Sequence, residues 1–406
     1  MFGTTTPTTS RRTPNARIKN LPRKETLADG TDVEIDYLNE EDYGFVFKLF
    51  KNAGEKGEGY SNEEFVDFNS FVKMVKRDPY FTLMDTANKK IIGAVSVHPS
   101  RLLRSANGVL AGGNAVVNPE YRNRKCNLII VKIHFDFAKE LGFHGFLGET
   151  FAINKAVRKS AETIGITVVG YIPKSAYLYR RGWVNSLAMY TPISDEYKLD
   201  DVRLVMPNDE FLTSKILDPR GKVDPWNNKV TSLPRTFNVQ DGREFTARSA
   251  EETEYFEVYN IIKDAADDGV GFGIDDFPTF EYFVDCMARG HVFCITEKAS
   301  DKIVGMFTCI PSKYSRTPNS PFAAGPAIMK DGYRGIGIYG NIREISEDIA
   351  KELGYQGILG DMLEINQPII DSYERYGYKL VARIPRSSFV KGEGWVAAVA
   401  FYKPFS

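Results

Sequence analysis

A short glycine-rich segment in the last fifth of the chain combines residue types that suit anion binding. It runs Arg334-Gly335-Ile336-Gly337-Ile338-Tyr339-Gly340, from an apolar stretch into a run with helical spacing. At a helix N-terminus several backbone N–H groups point outward at the positive end of the helix dipole, a geometry that binds phosphate. Glycine lets the main chain approach an anion, and Arg334 adds a positive charge. The segment indicates a phosphate site, although a purely structural turn explains the glycines equally well.

A second segment, NQPIIDSYERYGY at 366–378, pairs an asparagine with a tyrosine. Tyr373 follows Asn366 by seven residues, about 700° of helical rotation, and so lies on nearly the same face. Asn366 suits the N-cap of this helix, and Pro368 falls in its first turn, where proline is tolerated. The two side chains can line one wall of a site, although a tyrosine at helical spacing is more often a core residue.

Two carboxylates precede this helix. Asp361 and Glu364 lie in GILGDMLEI at 357–365, a run typical of a buried strand. Because they are three residues apart, they fall on opposite faces of a regular strand. Either one could serve as a general base. A solvated surface glutamate is an equally good explanation of Glu364, and Asp361 could be structural.

An aromatic and acidic segment, GVGFGIDDF, occupies residues 269–277. Phe272, Asp275 and Asp276 could hold a cationic amine through charge and aromatic contact. The simpler explanation is a helix N-terminus with acidic residues in its first turn. The residues alone leave both interpretations open.

The elements that must position these residues are mixed helices and strands. Hydrophobic periodicity predicts helices over 252–266 and 276–288, and strands over 292–297, 303–310 and 323–330. An amphipathic helix begins at Ile338 and ends at Gly354, a C-terminal cap. Strands over 357–365, 378–384 and 395–402 complete the order around the helix that begins at Asn366. The predicted fold class is therefore α/β, a mixed sheet flanked by helices.

The chain contains this arrangement twice. Residues 21–194 align with residues 233–406 at a constant offset of 212, without a gap. A repeat this long indicates a duplicated globular domain, because solenoid units repeat about every 20 to 50 residues. We therefore expect an N-terminal domain at 21–194 and a C-terminal domain at 233–406, packed as a pseudo-dimer in a monomeric chain.

Two segments fall outside the repeat. Residues 1–20 are rich in Thr, Pro and Arg and contain no acidic residue. They predict a disordered arm, with a mitochondrial presequence as the weaker alternative. Residues 195–232 contain Pro207, Pro219 and Pro225 and are predicted to link the two domains.

The composition excludes several classes of function. Of the 406 residues, 43% are apolar and 26% charged, as in a folded protein, and no apolar run reaches membrane-spanning length. A net charge of -1 argues against nucleic-acid binding, which needs excess positive charge. The four cysteines and four histidines show no metal-binding spacing and no disulfide framework. We therefore expect no metal and a reducing compartment, the cytoplasm.

The two motifs, separated by a helix and a strand, resemble those of the GCN5-related N-acetyltransferase superfamily. In that family Arg or Gln, two residues, Gly, one residue and then Gly or Ala surround the pyrophosphate of acetyl-CoA. Arg334 and Gly337 fit this motif, whereas Tyr339 departs at the last place and Gly340 follows at once. The family's later motif, Asn, six residues, Tyr, three residues and Gly-Phe or Gly-Tyr, is met in full by Asn366, Tyr373, Gly377 and Tyr378.

The resemblance implies transfer of acetyl from acetyl-CoA to a small amine or amino acid by direct attack in a ternary complex. Segment 334–340 and Asn366 would bind the cofactor, and a backbone N–H near Ile328 or Met329 would meet the thioester oxygen. Tyr373 would be the general acid toward the sulfur. For the base, Glu364 is preferred to Asp361, because the N-terminal copy has Ala152 and Glu149 at these positions.

The N-terminal copy differs where the chemistry is expected. Its loop reads Arg122-Asn123-Arg124-Lys125-Cys126-Asn127-Leu128, so Lys125 replaces Gly337 and Leu128 replaces Gly340. Asn154 matches Asn366, but Ala161 replaces Tyr373. We therefore expect an inactive N-terminal copy, with a differently specialised active copy as the alternative. For the whole chain, the competing hypotheses are a non-catalytic acyl-CoA-binding or metabolite-binding regulator and a protein N-acetyltransferase.

Overall fold

The computed structural model describes residues 17–155, 157–159, 165–179, 181–199 and 229–405. Most of the predicted arm and linker, and also Ala161, lie outside the described residues. Within the arm, Ile18 is buried against the N-terminal core, and its N–H donates to the hydroxyl of Tyr37 at 3.0 Å. The folded part of the chain therefore begins before residue 21.

The N-terminal copy alternates strands and helices. Its elements are β1 (Arg23–Thr26), β2 (Asp32–Tyr37), α1 (Tyr43–Lys56), α2 (Phe68–Arg77), β3 (Tyr80–Asp85), β4 (Lys90–Ser96), β5 (His98–Pro99), β6 (Leu110–Gly112), β7 (Ala115–Val117), α3 (Cys126–Glu140), β8 (Gly145–Phe151), β9 (Thr167–Leu178) and β10 (Gly182–Pro192). Asp67 caps α2 by accepting the N–H of Ser70, as a helix N-cap should.

The C-terminal copy follows nearly the same order. Its elements are β11 (Arg235–Asn238), β12 (Glu244–Ser249), α4 (Tyr255–Asp267), α5 (Phe280–Met287), β13 (His291–Glu297), β14 (Lys302–Pro311), β15 (Ala323–Ala324), β16 (Ala327–Met329), α6 (Ile338–Glu352), β17 (Gly357–Leu363), α7 (Gln367–Arg375), β18 (Lys379–Val390) and β19 (Gly394–Pro404). In this copy β14 spans the positions of both β4 and β5, and a helix, α7, follows β17. The predicted fold class, mixed sheets flanked by helices, is confirmed.

Three expectations need correction. The second helix begins at Phe280 rather than at residue 276, because Thr279 caps it by accepting the N–H of Tyr282. Gly354 follows the C-cap residue Leu353 instead of being the cap itself, and it has a left-handed φ of 88°. The closing strands are longer than predicted, since they run over Lys379–Val390 and Gly394–Pro404.

The strand predicted over 323–330 is interrupted at Gly325 and Pro326. A Cβ atom on Gly325 would lie 2.4 Å from the carbonyl oxygen of Thr308, so only glycine fits this close approach. On one side of the interruption, β15 pairs in parallel with β17 at Ala323 and Ile358. On the other side, β16 pairs only with β14. A gap therefore opens between β16 and β17, and we call it the β16–β17 gap.

The isoleucine stripe of α6 anchors this helix to one face of the C-terminal sheet. Ile338, Ile342, Ile345 and Ile349 are all buried, in one core cluster with Phe293, Phe307 and Met329 of the strands. Helices α4 and α5 pack on the opposite face. No helix in the described part of the chain is long and apolar enough to cross a membrane.

One continuous sheet joins the two copies. Its strand order is β11-β12-β13-β14-β15-β17-β19-β18-β9-β10-β8-β6-β5, while β1, β2, β3, β4 and β7 form a second sheet. The join lies where Ala382 of β18 pairs with Gly170 of β9. These two positions are 212 residues apart, so equivalent residues meet on a pseudo-two-fold axis. A Cβ on Gly170 would lie 2.2 Å from that of Ala382, which explains the glycine.

The copies also exchange two equivalent arginines. Arg104 of the N-terminal copy donates to Asp276 at 2.9 Å and to the carbonyl of Gly271 at 3.0 Å. Arg316 of the C-terminal copy donates to Glu64 at 2.8 and 3.1 Å and to the carbonyl of Gly59 at 3.0 Å. All three pairs of positions differ by 212. The interface therefore uses the same surface twice, as in a two-fold dimer.

Replacing Arg316 by methionine is expected to destabilise the chain substantially. The Arg316 side chain is only 8% exposed and that of Glu64 15%, so the change leaves a largely buried carboxylate without its cation. Such a loss costs about 3 kcal/mol. The free energy of unfolding from denaturant titration measures it.

Lys76→Met is the matched control for this experiment. Lys76 lies 3.9 Å from Glu40, and both side chains are mostly exposed. Exposed pairs contribute about 0 to 1 kcal/mol, so this variant should unfold almost like the wild type. Equal effects of the two substitutions would show that the arginine exchange does not stabilise the interface.

Candidate functional site

The glycine-rich segment forms an open turn in front of α6. Gly335 and Gly337 have left-handed φ angles of 76° and 93°, which glycine adopts without strain. A Cβ at Gly335, Gly337 or Gly340 would meet no atom within 4 Å. No side chain caps α6, and the backbone N–H groups of 334–337 donate none of the described hydrogen bonds outside regular helices and strands. Free amides thus face open space at the positive end of a helix, which suits a phosphate group.

Arg334 contributes to this turn in an unexpected way. Its Nε donates to the carbonyl oxygen of Met329 at 2.9 Å. This contact ties the turn to the end of β16, while the guanidinium retains further N–H donors for an anion. Arg334 therefore fixes the path of the loop as well as adding charge.

The same backbone path occurs in the N-terminal copy, where side chains occupy it. Asn123 and Lys125 have left-handed φ angles of 65° and 61°, at the positions of Gly335 and Gly337. Arg122 pairs with Glu58 at 2.7 Å, and Arg124 lies 3.5 Å from Asp29. Leu128 is an exposed large apolar side chain at the position of Gly340. This loop keeps the backbone shape of the turn at 334–340, which we call the anion turn, but its side chains crowd the space and its arginines are already paired.

Tyr373 and the loop residue Tyr339 are in direct contact. The hydroxyl of Tyr339 donates to the hydroxyl of Tyr373 at 3.3 Å. The Tyr373 ring packs on Tyr378, with centroids 4.3 Å apart, and on Phe401 at 5.7 Å. Burial raises the pKa of Tyr373 above its usual value of 10.0, so it carries its proton at neutral pH. Because Tyr339 serves as the donor, Tyr373 keeps its own proton for another acceptor.

A buried polar network lies between α6, α7 and the closing strands. Glu347 accepts from the hydroxyl of Tyr378 at 2.8 Å and pairs with Lys403 at 2.8 Å and with Arg343 at 3.1 Å. Arg343 also lies over the ring of Tyr376, 3.3 Å from its centroid. The network fixes the C-terminal end of α7 and hence the helix that carries Tyr373. The N-terminal copy lacks it, with Val131, Phe135, Ile166 and Thr191 at the positions of Arg343, Glu347, Tyr378 and Lys403.

Asn366 occupies the N-cap position of α7, but its side chain makes no capping hydrogen bond. The prediction that Asn366 is the N-cap residue is therefore confirmed, but the prediction that its side chain caps the helix is wrong. In the N-terminal copy, by contrast, Asn154 accepts the N–H of Val157 at 3.3 Å. The Asn366 amide therefore keeps its donors and acceptor available.

The hydrogen bonds between β14 and β16 show which backbone groups face the β16–β17 gap. Thr308 donates its N–H to Pro326, and Lys330 donates its N–H to Val304. Because alternate residues of an antiparallel strand bond the same neighbour, the Ile328 N–H points toward β14 and the Met329 N–H toward the gap. Of the two amides proposed for the thioester oxygen, only that of Met329 is oriented for it.

On the other side of the gap, side chains from the domain interface cover the edge of β17. The hydroxyl of Ser312 donates to the Leu359 carbonyl at 2.5 Å, and Arg104 Nη1 donates to the Asp361 carbonyl at 3.3 Å. The N-terminal copy thus places a guanidinium at the gap of the C-terminal copy.

Asp361 belongs to a cluster of charges at this point, made of Arg104, Asp276, Lys313 and Asp361, which we call the interdomain charge cluster. Its carboxylate accepts from Lys313 and from the hydroxyl of Tyr314, each at 2.7 Å, and lies 3.6 Å from Arg104. Burial alone would raise the pKa of Asp361, but the two cations outweigh it and lower that pKa. A carboxylate with these partners is suited to structure rather than to proton abstraction.

Glu364 lies just beyond the end of β17, outside the regular strand. Arg383 donates to its two oxygens at 2.6 and 2.7 Å, while the carboxylate remains 38% exposed. In the N-terminal copy both partners change together, to Ala152 and Tyr171. The difference between the copies at this position therefore has a structural explanation in the ion pair as well as a catalytic one.

The segment predicted to bind a cationic acceptor forms part of the domain interface. Asp276 pairs with Arg104 and accepts from the hydroxyl of Ser388. Phe272 is buried, with the Arg104 guanidinium 5.3 Å from its ring centroid. The carbonyl of Asp275 accepts the N–H of Ala106 at 2.8 Å. Asp276 and Phe272 are thus occupied by an arginine of the other copy, so the expectation that they bind a cationic amine is corrected.

Sequence reasoning missed several residues that surround the site, namely Arg104, Lys313, Tyr314 and Arg383. One signal was available for Arg104, because Arg104 and Arg316 are equivalent and identical, as expected for a self-complementary interface. No group of three or more His, Cys, Asp or Glu side chains in the described part of the chain is arranged to bind a metal ion.

Comparisons with known proteins give structural similarities only. No protein-family model matches the chain, and no curated protein matches its sequence. Among solved structures, the chain is similar to a GCN5-related N-acetyltransferase from Kribbella flavida, with 17% identity, a TM-score of 0.35 and coverage of 39% of this chain and 97% of the other.

Two further similarities are of the same kind. A putative acetyltransferase from Salmonella typhimurium, solved with acetyl-CoA, has 16% identity and a TM-score of 0.36, with coverage of 41% of this chain and 98% of the other. Spermidine N-acetyltransferase from Vibrio cholerae, solved with CoA and spermine, has 16% identity and a TM-score of 0.33, with coverage of 39% and 95%. Similarities this weak carry no inference about the activity of this chain.

Gly337→Lys is expected to weaken anion binding while the fold survives. Lys125 adopts the same left-handed conformation at the equivalent position, so the chain itself shows that lysine can occupy this turn. The side chain would fill the open space in front of the amides. The loss of one charge-assisted hydrogen bond, about 1.5 to 3 kcal/mol, predicts about 10- to 100-fold weaker binding of acetyl-CoA in calorimetry.

Lys125→Gly is the matched control, because it makes the reverse change in the N-terminal copy. It should leave one acetyl-CoA site per chain, with unchanged affinity. Two outcomes would place an anion site in the N-terminal copy. One is a second acetyl-CoA site in the wild type, and the other is affinity that is lost in Lys125→Gly but kept in Gly337→Lys.

Proposed function

We propose that the C-terminal copy is an acetyl-CoA-dependent N-acetyltransferase that acts on a small amine or amino acid. The observation that carries this proposal is the contact between Tyr339 and Tyr373. It joins the first turn of an uncapped, glycine-led helix, which suits a pyrophosphate, to a protonated tyrosine, which suits a leaving thiolate. The agreement of Asn366, Tyr373, Gly377 and Tyr378 with the superfamily motif supports the same reaction.

The proposed reaction is direct attack in a ternary complex. The amine nitrogen bonds to the thioester carbon, the carbon–sulfur bond breaks, and the products are an N-acetyl amine and CoA. The Met329 N–H faces the gap, where it can donate to the oxyanion. Tyr373 donates its proton to the departing sulfur, and the nitrogen loses one proton, so the reaction is balanced.

For the proton leaving the amine, we propose Glu364 as the acceptor. Its side chain is 38% exposed, whereas that of Asp361 is 11% exposed and bonded to two other side chains. A carboxylate has about four lone-pair positions, and Arg383 uses two of those on Glu364. Glu364 can therefore accept a proton while Arg383 fixes its orientation.

The N-terminal copy has a supporting role in this proposal. Its loop positions at Lys125 and Leu128 crowd the anion turn, and its Arg104 covers the edge of β17 in the C-terminal copy. One chain would then act as a fused pair of domains with a single working site. A regulator that binds acetyl-CoA without turnover is the competing function, and release of free thiol with a panel of amines distinguishes the two.

Tyr373→Phe is expected to lower kcat by about 10²- to 10⁴-fold with little change in the KM for acetyl-CoA, because general acids contribute effects of this size. Steady-state thiol release measures both constants. Since the raised pKa keeps Tyr373 protonated at neutral pH, its contribution in the wild type should be lost only as the pH rises above about 10. Tyr376→Phe, at the exposed tyrosine that follows the last residue of α7, is the control. An unchanged rate in Tyr373→Phe would remove its role as the acid.

Glu364→Gln tests the proposed base separately. It should lower kcat by about 10²-fold or more at neutral pH, while the ring of Tyr373 and the anion turn are undisturbed. Because the Arg383 pair is part-exposed, the free energy of unfolding should fall by only about 1 kcal/mol. If Glu364→Gln lowers the free energy of unfolding but keeps full turnover, Glu364 serves only in the ion pair with Arg383 and is not the base.

A further inference from the structure

The four charged side chains of the interdomain charge cluster differ in their exposure to solvent. It contains two cations, Arg104 and Lys313, and two carboxylates, Asp276 and Asp361, so its net charge is zero. The side chains of Arg104 and Asp361 are each 11% exposed and that of Asp276 is 3% exposed, whereas Lys313 is 34% exposed. An incoming molecule therefore meets an ammonium group.

The hydrogen bonds of the interdomain charge cluster leave one N–H donor of Lys313 for another partner. Arg104 directs Nε, Nη1 and Nη2 to Asp276, Asp361 and Gly271. Lys313 has three N–H donors and two hydrogen-bond partners among the described residues, Asp361 at 2.7 Å and the carbonyl of Leu103 at 3.3 Å. One donor on Lys313 is thus available to a ligand.

Both carboxylates are already occupied. Asp361 accepts from Lys313 and Tyr314, and Asp276 accepts from Arg104 and Ser388. A second ammonium group on the acceptor would displace one of these partners and would meet the positive charge of Lys313. A carboxylate on the acceptor would instead gain a charge-assisted hydrogen bond.

Building on the proposed acetyltransferase function, we propose that Lys313 binds a carboxylate on the acceptor, so that the acceptor is an amino acid rather than a polyamine. Arg104 of the N-terminal copy is the positioning residue: it neutralises Asp276 and contacts Asp361, so that Lys313 has one N–H for the acceptor beside its bond to Asp361. The cluster borders the β16–β17 gap where Arg104 donates to the Asp361 carbonyl, and Lys313 pairs with the side chain of the same aspartate. Specificity of the C-terminal site then depends on a residue of the other copy.

The test uses matched acceptors and the full chain. Each set contains an amino acid, its carboxamide and the amine that lacks the carboxyl group, and spermidine is added as a polyamine. The wild type should show a kcat/KM for the amino acid about 10- to 100-fold above those of its two analogues, the effect of one charge-assisted hydrogen bond. Transfer to all acceptors without this preference, or a preference for spermidine, would overturn the inference and leave the proposed function intact. No transfer to any acceptor would refute the proposed function itself.

Substitutions at Lys313 separate recognition from folding. Lys313→Met should abolish the preference for the carboxylate without changing the KM for acetyl-CoA, and Lys313→Arg should restore it at least in part. Lys76→Met, which removes a mostly exposed lysine of the N-terminal copy, is the control; it should keep the preference. If Lys313→Met does not fold, Arg104→Lys gives the second measurement, and retention of the full preference in that variant would contradict the role of Arg104.

Discussion

The exchange of Arg104 and Arg316 is the contact on which the arrangement of the two copies depends. Each arginine leaves its own copy and is buried against an acid and a carbonyl of the other, with equivalent partners on both sides. Buried ion pairs cost desolvation energy, and removing one partner leaves a buried charge without compensation. At Gly170 and Ala382 the sheet join requires the same register. Residues of both copies therefore border the β16–β17 gap.

This dependence gives a physical reason why a copy with an obstructed anion turn would keep its fold. Asn123 and Lys125 retain left-handed angles that disfavour residues with a Cβ, so the turn is preserved against a conformational cost of about 1 to 2 kcal/mol per residue. The polar network around Glu347 has apolar counterparts in the N-terminal copy, apart from Thr191. The two copies thus share backbone geometry and interface, and they differ in the side chains that face the proposed ligand.

Local patterns predicted the elements well, because they depend on neighbouring residues. The isoleucines of α6 and the glycines of the anion turn appear in the structure as helix and turn, and Asn366 immediately precedes the helix that carries Tyr373. The interpretation failed where a distant residue decides the role of a side chain. In the local sequence Asp276 resembles an acid that binds an amine. In the structure its cation is Arg104, which lies 172 residues away in the sequence. The break at Gly325 was equally hidden, since it depends on the approach of Thr308 from another strand.

The departure from the superfamily motif at Tyr339 has a structural consequence of its own. A glycine or alanine at this position would leave the Tyr373 hydroxyl without this donor, whereas Tyr339 fixes one of its lone pairs. The backbone of Tyr339 lies in the first turn of α6, among the amides that suit an anion, and its side chain contacts α7. In the proposed reaction, an anion that orders this turn would also order the Tyr373 hydroxyl. Binding of the pyrophosphate and proton donation to the sulfur would then be coupled through Tyr339.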